Sequence, residues 1–500
     1  MVKVGNNPSS DSFLLLIISI SLATFMSSLD GTIVNIALPT ISEYFDVSTS
    51  AVSWVATAYL LVMAGCVLIF GKISDFIGFK RIFLSGFVVF TVGSFACGFL
   101  PEMLGSFTML VGSRAFQGIG GAMITAIAPA MVTAFIPMEQ KGKAMGIIMT
   151  VAALATAIGP TVGGLLTQYI SWHWIFYINV PVGIVALILG LRVIPGHTAP
   201  SAHLTGFDRT GAASIFIGLA TLLFAVSEGE VLGWTSPAVL VSGAVAALSL
   251  ALFVWHELHT ADPLLELRLF QNRNFLFTNL IIVLVFFSFA GINYLLPFYL
   301  QYVKDYDTSS AGIILTALSF AMMISGLISG MLYNRTGGRI LCIVASVIIT
   351  AGYFMMTHLQ ADTTTAFVVA ALLVIGFGLG LIVTPVSNMI MNSVAKKYQG
   401  MVSSLTSLER FAPMTIGIAI FNLIFIQGIL MIAQNRNITT QPPADVQHLL
   451  CAGFDIAFFG AVIIGILVIV LALLAHQEVH PDYLNEKGDD DGTFESGMML

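Results

Sequence analysis

The sequence predicts an all-α membrane protein, a bundle of fourteen transmembrane helices, and three observations carry that prediction. Hydrophobic residues make up 57% of the chain and charged ones 9%, with a mean hydropathy of +0.95, which leaves too little polar surface for a fold dissolved in water. The apolar residues fall into runs of about 20, the length that crosses a hydrocarbon core ~30 Å thick. Runs such as 458–474 are apolar throughout, whereas barrel strands would alternate, so helices are the spanning form.

A polar stretch, 1–12, precedes the first segment, 13–38, which is too long for a signal-peptide core and reads as a retained helix. Segments 50–70, 82–100, 104–133, 143–167 and 174–194 follow, and together they make an N-terminal six-helix unit over 13–194. Residues 195–273 hold a linker and two more segments, 209–227 and 237–256. A second six-helix unit, 274–475, contains 274–302, 310–332, 339–358, 364–391, 399–427 and 453–475, and an acidic tail fills 476–500. Charged and Gly/Pro-rich breaks delimit each segment.

An even number of spans puts both termini on one side, and the basic residues test that topology. About 15 of the 19 lysines and arginines fall on the termini side, from Lys3 through Lys72, Arg192, Arg268 and Arg335 to Lys487. Lys304 and Arg436 fall on the other side, and Arg114 and Arg410 lie inside segments. Positive residues favour the cytoplasmic face, so both termini are expected there, in a multi-pass protein of the plasma or inner membrane. Net charge −7 and the absence of basic clusters give no footing for nucleic acid. Cys66, Cys97, Cys342 and Cys451 have neither CxxC nor metal spacing, and the sequence lacks HExxH and a GxxxxGK[ST] phosphate loop. No metal, no cofactor, no ATP-driven step and no enzyme activity are therefore expected.

The segment Gly71–Arg81 (GKISDFIGFKR) after the second helix has a weaker echo, Gly330–Arg339 (GMLYNRTGGR), after the tenth. The echo implies an internal duplication of six helices, with segments seven and eight inserted between the halves.

The motifs together resemble the major facilitator superfamily, and within it the fourteen-helix drug:proton antiporter branch. Gly71–Arg81 is similar to that superfamily's loop signature, although Phe76 and Phe79 stand where basic residues are usual. Leu29–Pro39 (LDGTIVNIALP) resembles the branch's first-helix motif, Arg114–Gly121 (RAFQGIGG) its fourth-helix motif and Gly159–Gly164 (GPTVGG) the antiporter motif, with Ser171–Pro181 (SWHWIFYINVP) completing the pattern. These motifs cover roughly residues 22–185, and the helix count and the echo extend the likeness over nearly the whole chain.

Acids and bases within the spans are the sharpest site candidates, since each costs ~2.5–3.5 kcal/mol to place at the bilayer centre and tends to face a cavity or partner. At ~1.5 Å per residue, Asp30 lies roughly 12 Å and Arg114 roughly 15 Å from the outer ends of their helices, so the two are level. The family fold implies that both helices border a central cavity. Burial favours the neutral carboxyl and a guanidinium the charged one, so such an acid can exchange a proton against a substrate. A fixed ion pair that only joins two helices is the other reading.

Glu409 and Arg410 precede Pro413 and point about 100° apart, which argues against a direct pair. Glu409 is either a second proton site or a satisfied structural charge. The resemblance implies a conformational gate at Gly71, Asp75, Gly78, Lys80 and Arg81, with Asp75 as a latch; a simple topology determinant serves equally. Gly159, Pro160, Gly163 and Gly164 allow close packing and bending, either as a gate or as a plain seam. Polar or aromatic candidates for the pathway are Asn35, Trp54, Tyr59, Gln117, Asn293, Tyr294, Phe298 and Asn388.

These features predict a secondary transporter, a proton-coupled antiporter exporting lipophilic compounds, cationic ones included, by alternating access. Its partners are a small lipophilic substrate, protons and membrane lipids; the oligomeric state is not encoded in any motif. A lipid flippase or dedicated metabolite exporter, or a sensor that does not transport, are the alternatives on the same scaffold.

Overall fold

Backbone that meets lipid must bond to itself, and these apolar runs do so as helices. The computed structural model describes residues 10–136, 138–194, 208–229, 232–260, 263–395, 398–435, 443–476 and 478. In chain order its helices are α1 Ser10–Phe45, α2 Thr49–Ile77, α3 Phe79–Leu104, α4 Phe107–Phe135, α5 Met138–Tyr169, α6 Trp174–Tyr177, α7 Asn179–Val193, α8 Arg209–Glu228 and α9 Pro237–His259. They continue with α10 Arg273–Phe298, α11 Thr308–Thr336, α12 Gly338–Met356, α13 Thr365–Asn392, α14 Gln399–Asn435 and α15 Pro443–Leu474. Fourteen spans among the described residues are long and apolar enough to cross a membrane. Short α6 and α7 form one of them, because the Ile178 N–H reaches the Trp174 carbonyl at 3.1 Å across their joint.

Helix starts follow ordinary capping chemistry: Ser48, Asp208, Ser236, Asn272, Asp307 and Thr364 each accept a backbone N–H of the first turn. Several elements run past their apolar runs, among them α2, to Ile77 instead of 70, and α14, to Asn435 instead of 427. α1 continues through Pro39, which forfeits one donor, until Asp46 turns to φ 51°. α15 begins at Pro443 rather than at 453, its first turns being polar. The linker 195–207, most of the acidic tail and the Asp75 side chain lie outside the described residues.

The echoed loops share a geometry. Gly78, at φ 92° and ψ 146°, closes α2 and opens α3; Gly337, at φ 78° and ψ 155°, does the same between α11 and α12. Positive φ at a joint of no other residues is the reason glycine stands there. The next basic residue is used alike in both. Lys80 donates to the Leu191 and Ile194 carbonyls at the end of α7, and Arg339 donates to the Leu473 carbonyl at the end of α15. A cation there satisfies orphan carbonyls and the helix dipole. Lys80, expected in a gate, thus pins α7, while Arg81 is exposed.

The two extra helices pack on each other, and α8 also lies against α2 and α14. Trp54 of α2 donates its indole N–H to Glu228 at 2.8 Å. Phe216 of α8 fills the space over Gly65 of α2. Much of α9 faces outward, with Leu248 71% and Val241 61% exposed, as suits a lipid-facing helix.

Below, the inner end is the one at which the chain enters α1. Hydrogen bonds between residues 13–194 and 274–475 gather at the other, outer end. Gln301 reaches the Ile36 carbonyl at 3.0 Å, Asn422 reaches Ser50 at 3.0 Å, Thr161 pairs with Thr316 at 2.6 Å, and Tyr294 donates to the Thr49 carbonyl. The small residues of α5 make this approach possible. A Cβ on Gly164 would overlap the Thr308 carbonyl oxygen, and one on Gly312 the Pro160 carbonyl oxygen. On its other face α5 meets α1, where a Cβ on Gly163 would stand 2.6 Å from the Ile33 carbonyl oxygen. Gly71 of α2 lies near Ser404 of α14 at the inner end.

Candidate functional site

Beneath the outer seal lies a cavity of about 250 Å³ between the halves. Its walls are apolar and soft, with Met63, Met145, Met149, Met322, Met414 and Phe289 among them, interrupted by hydroxyls such as Ser27, Ser28 and Ser407. Above it sits a chamber of about 10 Å³, lined by Asn35, Tyr59, Asn293 and Arg114 among others. That is room for roughly one water. Gly31, Tyr59, Leu60, Asn293 and Met414 belong to both walls, so the chamber adjoins the cavity.

Behind Tyr59 is a buried ionic network. Asp30 is fully buried, and Arg114 is 1% exposed. Arg114 Nη1 donates to Asp30 Oδ2 at 2.7 Å and to Gln117 Oε1 at 2.6 Å, and its Nε donates to the Val55 carbonyl at 2.9 Å. The other carboxylate oxygen, Asp30 Oδ1, accepts from Gln117 Nε2 at 2.9 Å and Asn179 Nδ2 at 3.1 Å. Gln117 Nε2 also donates to Ser94 at 2.6 Å. The guanidinium lies 4.2 Å from the Tyr59 ring centre and 5.6 Å from that of Phe176. One acid on α1 is therefore held by donors from α4 and α7, and its arginine by α2. The helical rise alone puts Asp30 and Arg114 level; Asn179 is the addition, an amide at the first turn of an apolar span that no periodicity flags.

Such a pair is costly to break from one side, since the survivor stays buried and uncompensated. Arg114→Met is expected to lower folding stability by about 3–5 kcal/mol. Adding Asp30→Asn in that background should recover most of the loss. Thermal unfolding of purified protein in detergent checks this, and an unshifted midpoint for Arg114→Met would mean the pair contributes nothing to the fold.

The remaining candidates separate. Tyr59, Asn35 and Asn293 line the cavity or chamber, while Gln117 serves the ionic network instead. Trp54 is committed to Glu228, and Tyr294 to the outer seal with Phe298 packed between it and Tyr302. Asn388 is half-buried, further along α13 than the cavity-lining Val383. On α14 the stripe Ser407, Arg410, Phe411 and Met414 faces the cavity. Glu409 falls on another face, 7% exposed, with Oε2 unpartnered. The spacing argument separating Glu409 from Arg410 matches this geometry. No cluster of three potential metal ligands occurs among the described residues.

The family model described as "Major Facilitator Superfamily" matches residues 20–418. The chain is 32% identical to the riboflavin transporter RibZ of Clostridioides difficile (strain 630), covering 83% of this chain and 89% of the relative. It is 34% identical to the multidrug resistance protein Stp of Mycobacterium tuberculosis (strain CDC 1551 / Oshkosh), over 81% and 75%, and 31% identical to the multidrug transporter protein MdtP of Bacillus subtilis (strain 168), over 88% and 79%. A crystal structure of a bacterial homolog to the human lysosomal transporter Spinster, inward-facing and occupied, is similar in fold with a TM-score of 0.61 at 15% identity, over 94% of this chain and 97% of that one.

Proposed function

The chain belongs to the major facilitator superfamily, and from that premise we propose that it is a cell-membrane antiporter exporting lipophilic compounds in exchange for protons. The observation that carries the reading is a fully buried carboxylate, Asp30, behind a one-water chamber that adjoins an apolar cavity. An acid so placed costs several kcal/mol unless it is put to use or firmly paired. Here its cation, Arg114, forms part of the chamber wall, so a change in chamber contents acts on the pair directly. In the sealed-outside form the acid is held by Arg114, Gln117 and Asn179. When the outer seal parts, a proton entering through the chamber neutralises Asp30 and frees Arg114, and the substrate leaves outward. The halves rock back, the proton departs inward, and Arg114 recaptures the carboxylate. A soft methionine wall accepts varied apolar bodies. The proton gradient drives the cycle, with no cofactor.

A second reading, a dedicated exporter of one metabolite, is favoured by the likeness to RibZ. Purified protein in liposomes separates the two. Efflux of several chemically unrelated dyes and biocides, dependent on the pH gradient, supports the multidrug reading; gradient-driven movement of riboflavin or another single compound alone supports the second. Transport indifferent to the gradient would reject proton exchange in both.

A further inference from the structure

The charge of the cavity wall is one-sided. Arg410 is the one charged side chain lining it among the described residues, and its guanidinium is exposed there. It has no hydrogen bond or ion pair among the described residues; its neighbours are the Phe286 and Phe411 rings, with centres at 5.5 and 5.8 Å. A guanidinium brings five donors and cannot shed its charge, so a group facing an apolar hollow unpaired is a recognition element waiting for an acceptor. The nearby acids do not serve as that acceptor. Both oxygens of Asp30 are taken by Arg114, Gln117 and Asn179, and Glu409 points away from the cavity stripe. The adjoining chamber adds a second guanidinium, Arg114. A cationic ligand would thus face the unpaired Arg410 and, among the described residues, no free carboxylate, since Arg114 is already paired with Asp30.

We propose that this cavity selects amphipathic organic anions, binding a carboxylate, sulfonate or phosphate head at Arg410 and an apolar body against the methionine and phenylalanine wall. The proposal rests on the exporter reading for its direction of transport but not for the binding chemistry. Bidentate, charge-assisted hydrogen bonds give a guanidinium its preference for such heads. The cationic substrates admitted by the sequence reading find no counter-charge on this wall.

A matched set of naphthalene probes tests it: a sulfonate, a trimethylammonium and a neutral alcohol, with binding to the purified full chain followed by calorimetry and transport in liposomes. The sulfonate is expected to bind at least roughly tenfold tighter than the trimethylammonium, a preference that Arg410→Gln removes and Arg410→Lys partly keeps. Size-exclusion profiles of the variants show whether they are folded. Equal or tighter binding of the trimethylammonium, or a sulfonate affinity that survives Arg410→Gln, overturns the proposal. If the neutral probe is pumped by a pH gradient but the sulfonate has no advantage, the anion site is wrong and the exporter stands. If the sulfonate binds through Arg410 and nothing is pumped, the anion site stands and the exporter is wrong. Repeating the binding in nanodiscs with and without phosphatidylglycerol tells the source of the head: competition through Arg410 identifies an anionic lipid, its absence a free solute.

Discussion

Asp30→Asn is expected to reduce gradient-driven efflux to the background of empty liposomes while leaving a folded protein. Asparagine keeps an oxygen for Gln117 and Asn179, so the shape of the network survives, but an amide has no acidic proton to exchange. Arg114 loses its counter-ion yet retains the Val55 carbonyl, Gln117 and the faces of Tyr59 and Phe176, which limits the damage to stability. Downhill equilibration of substrate without a pH gradient should persist, because the cavity and the seal are untouched. This combination distinguishes coupling from a structural ion pair: wild-type rates of gradient-driven efflux in the variant would reduce Asp30 to a helix tie.

Gly312→Val should be nearly as damaging, from the opposite end of the mechanism. The new side chain would overlap the Pro160 carbonyl oxygen, and no flexible side-chain tip is there to yield. Overpacking of this kind costs about 1–3 kcal/mol. Spent against the sealed-outside form alone, it shifts the population away from that form by roughly five- to 150-fold. Spin labels at exposed Tyr169, the outer end of α5, and exposed Asp362, on the outer loop between α12 and α13, would report longer distances in the variant, and transport would fall in step. Unchanged distances with normal transport would show that α5 and α11 need not touch during the cycle.

The number of spans and the level of Asp30 against Arg114 were legible because each is a matter of length along the chain. Apolar runs count the spans, and a fixed rise per residue gives depth. Which way a side chain turns was not legible. In a soluble helix the polar face marks the outside, but α10 is apolar all round, and lipid and core ask for the same residues. Tyr294 and Phe298 therefore read as pathway residues when they belong to the seal, and Trp54 as a wall residue when it holds α8. Asn179 lay inside the Ser171–Pro181 motif, but nothing in the pattern marked it as a donor to Asp30. Val55 contributes only a carbonyl, which every residue has.

The two extra helices carry a mechanical consequence. α2 and α14 touch near the outer end through Ser50 and Asn422 and near the inner end at Gly71 and Ser404, and α8 lies against both. A seam fastened at two levels and braced from outside behaves as the spine of a book. The opposite edge, along α5 and α11, is closed by glycines set against carbonyls and by the Thr161–Thr316 hydroxyl pair, and it is there that the pages are expected to part. Opening in such a body is expected to be asymmetric, with entry to the cavity from the fore-edge and not the spine.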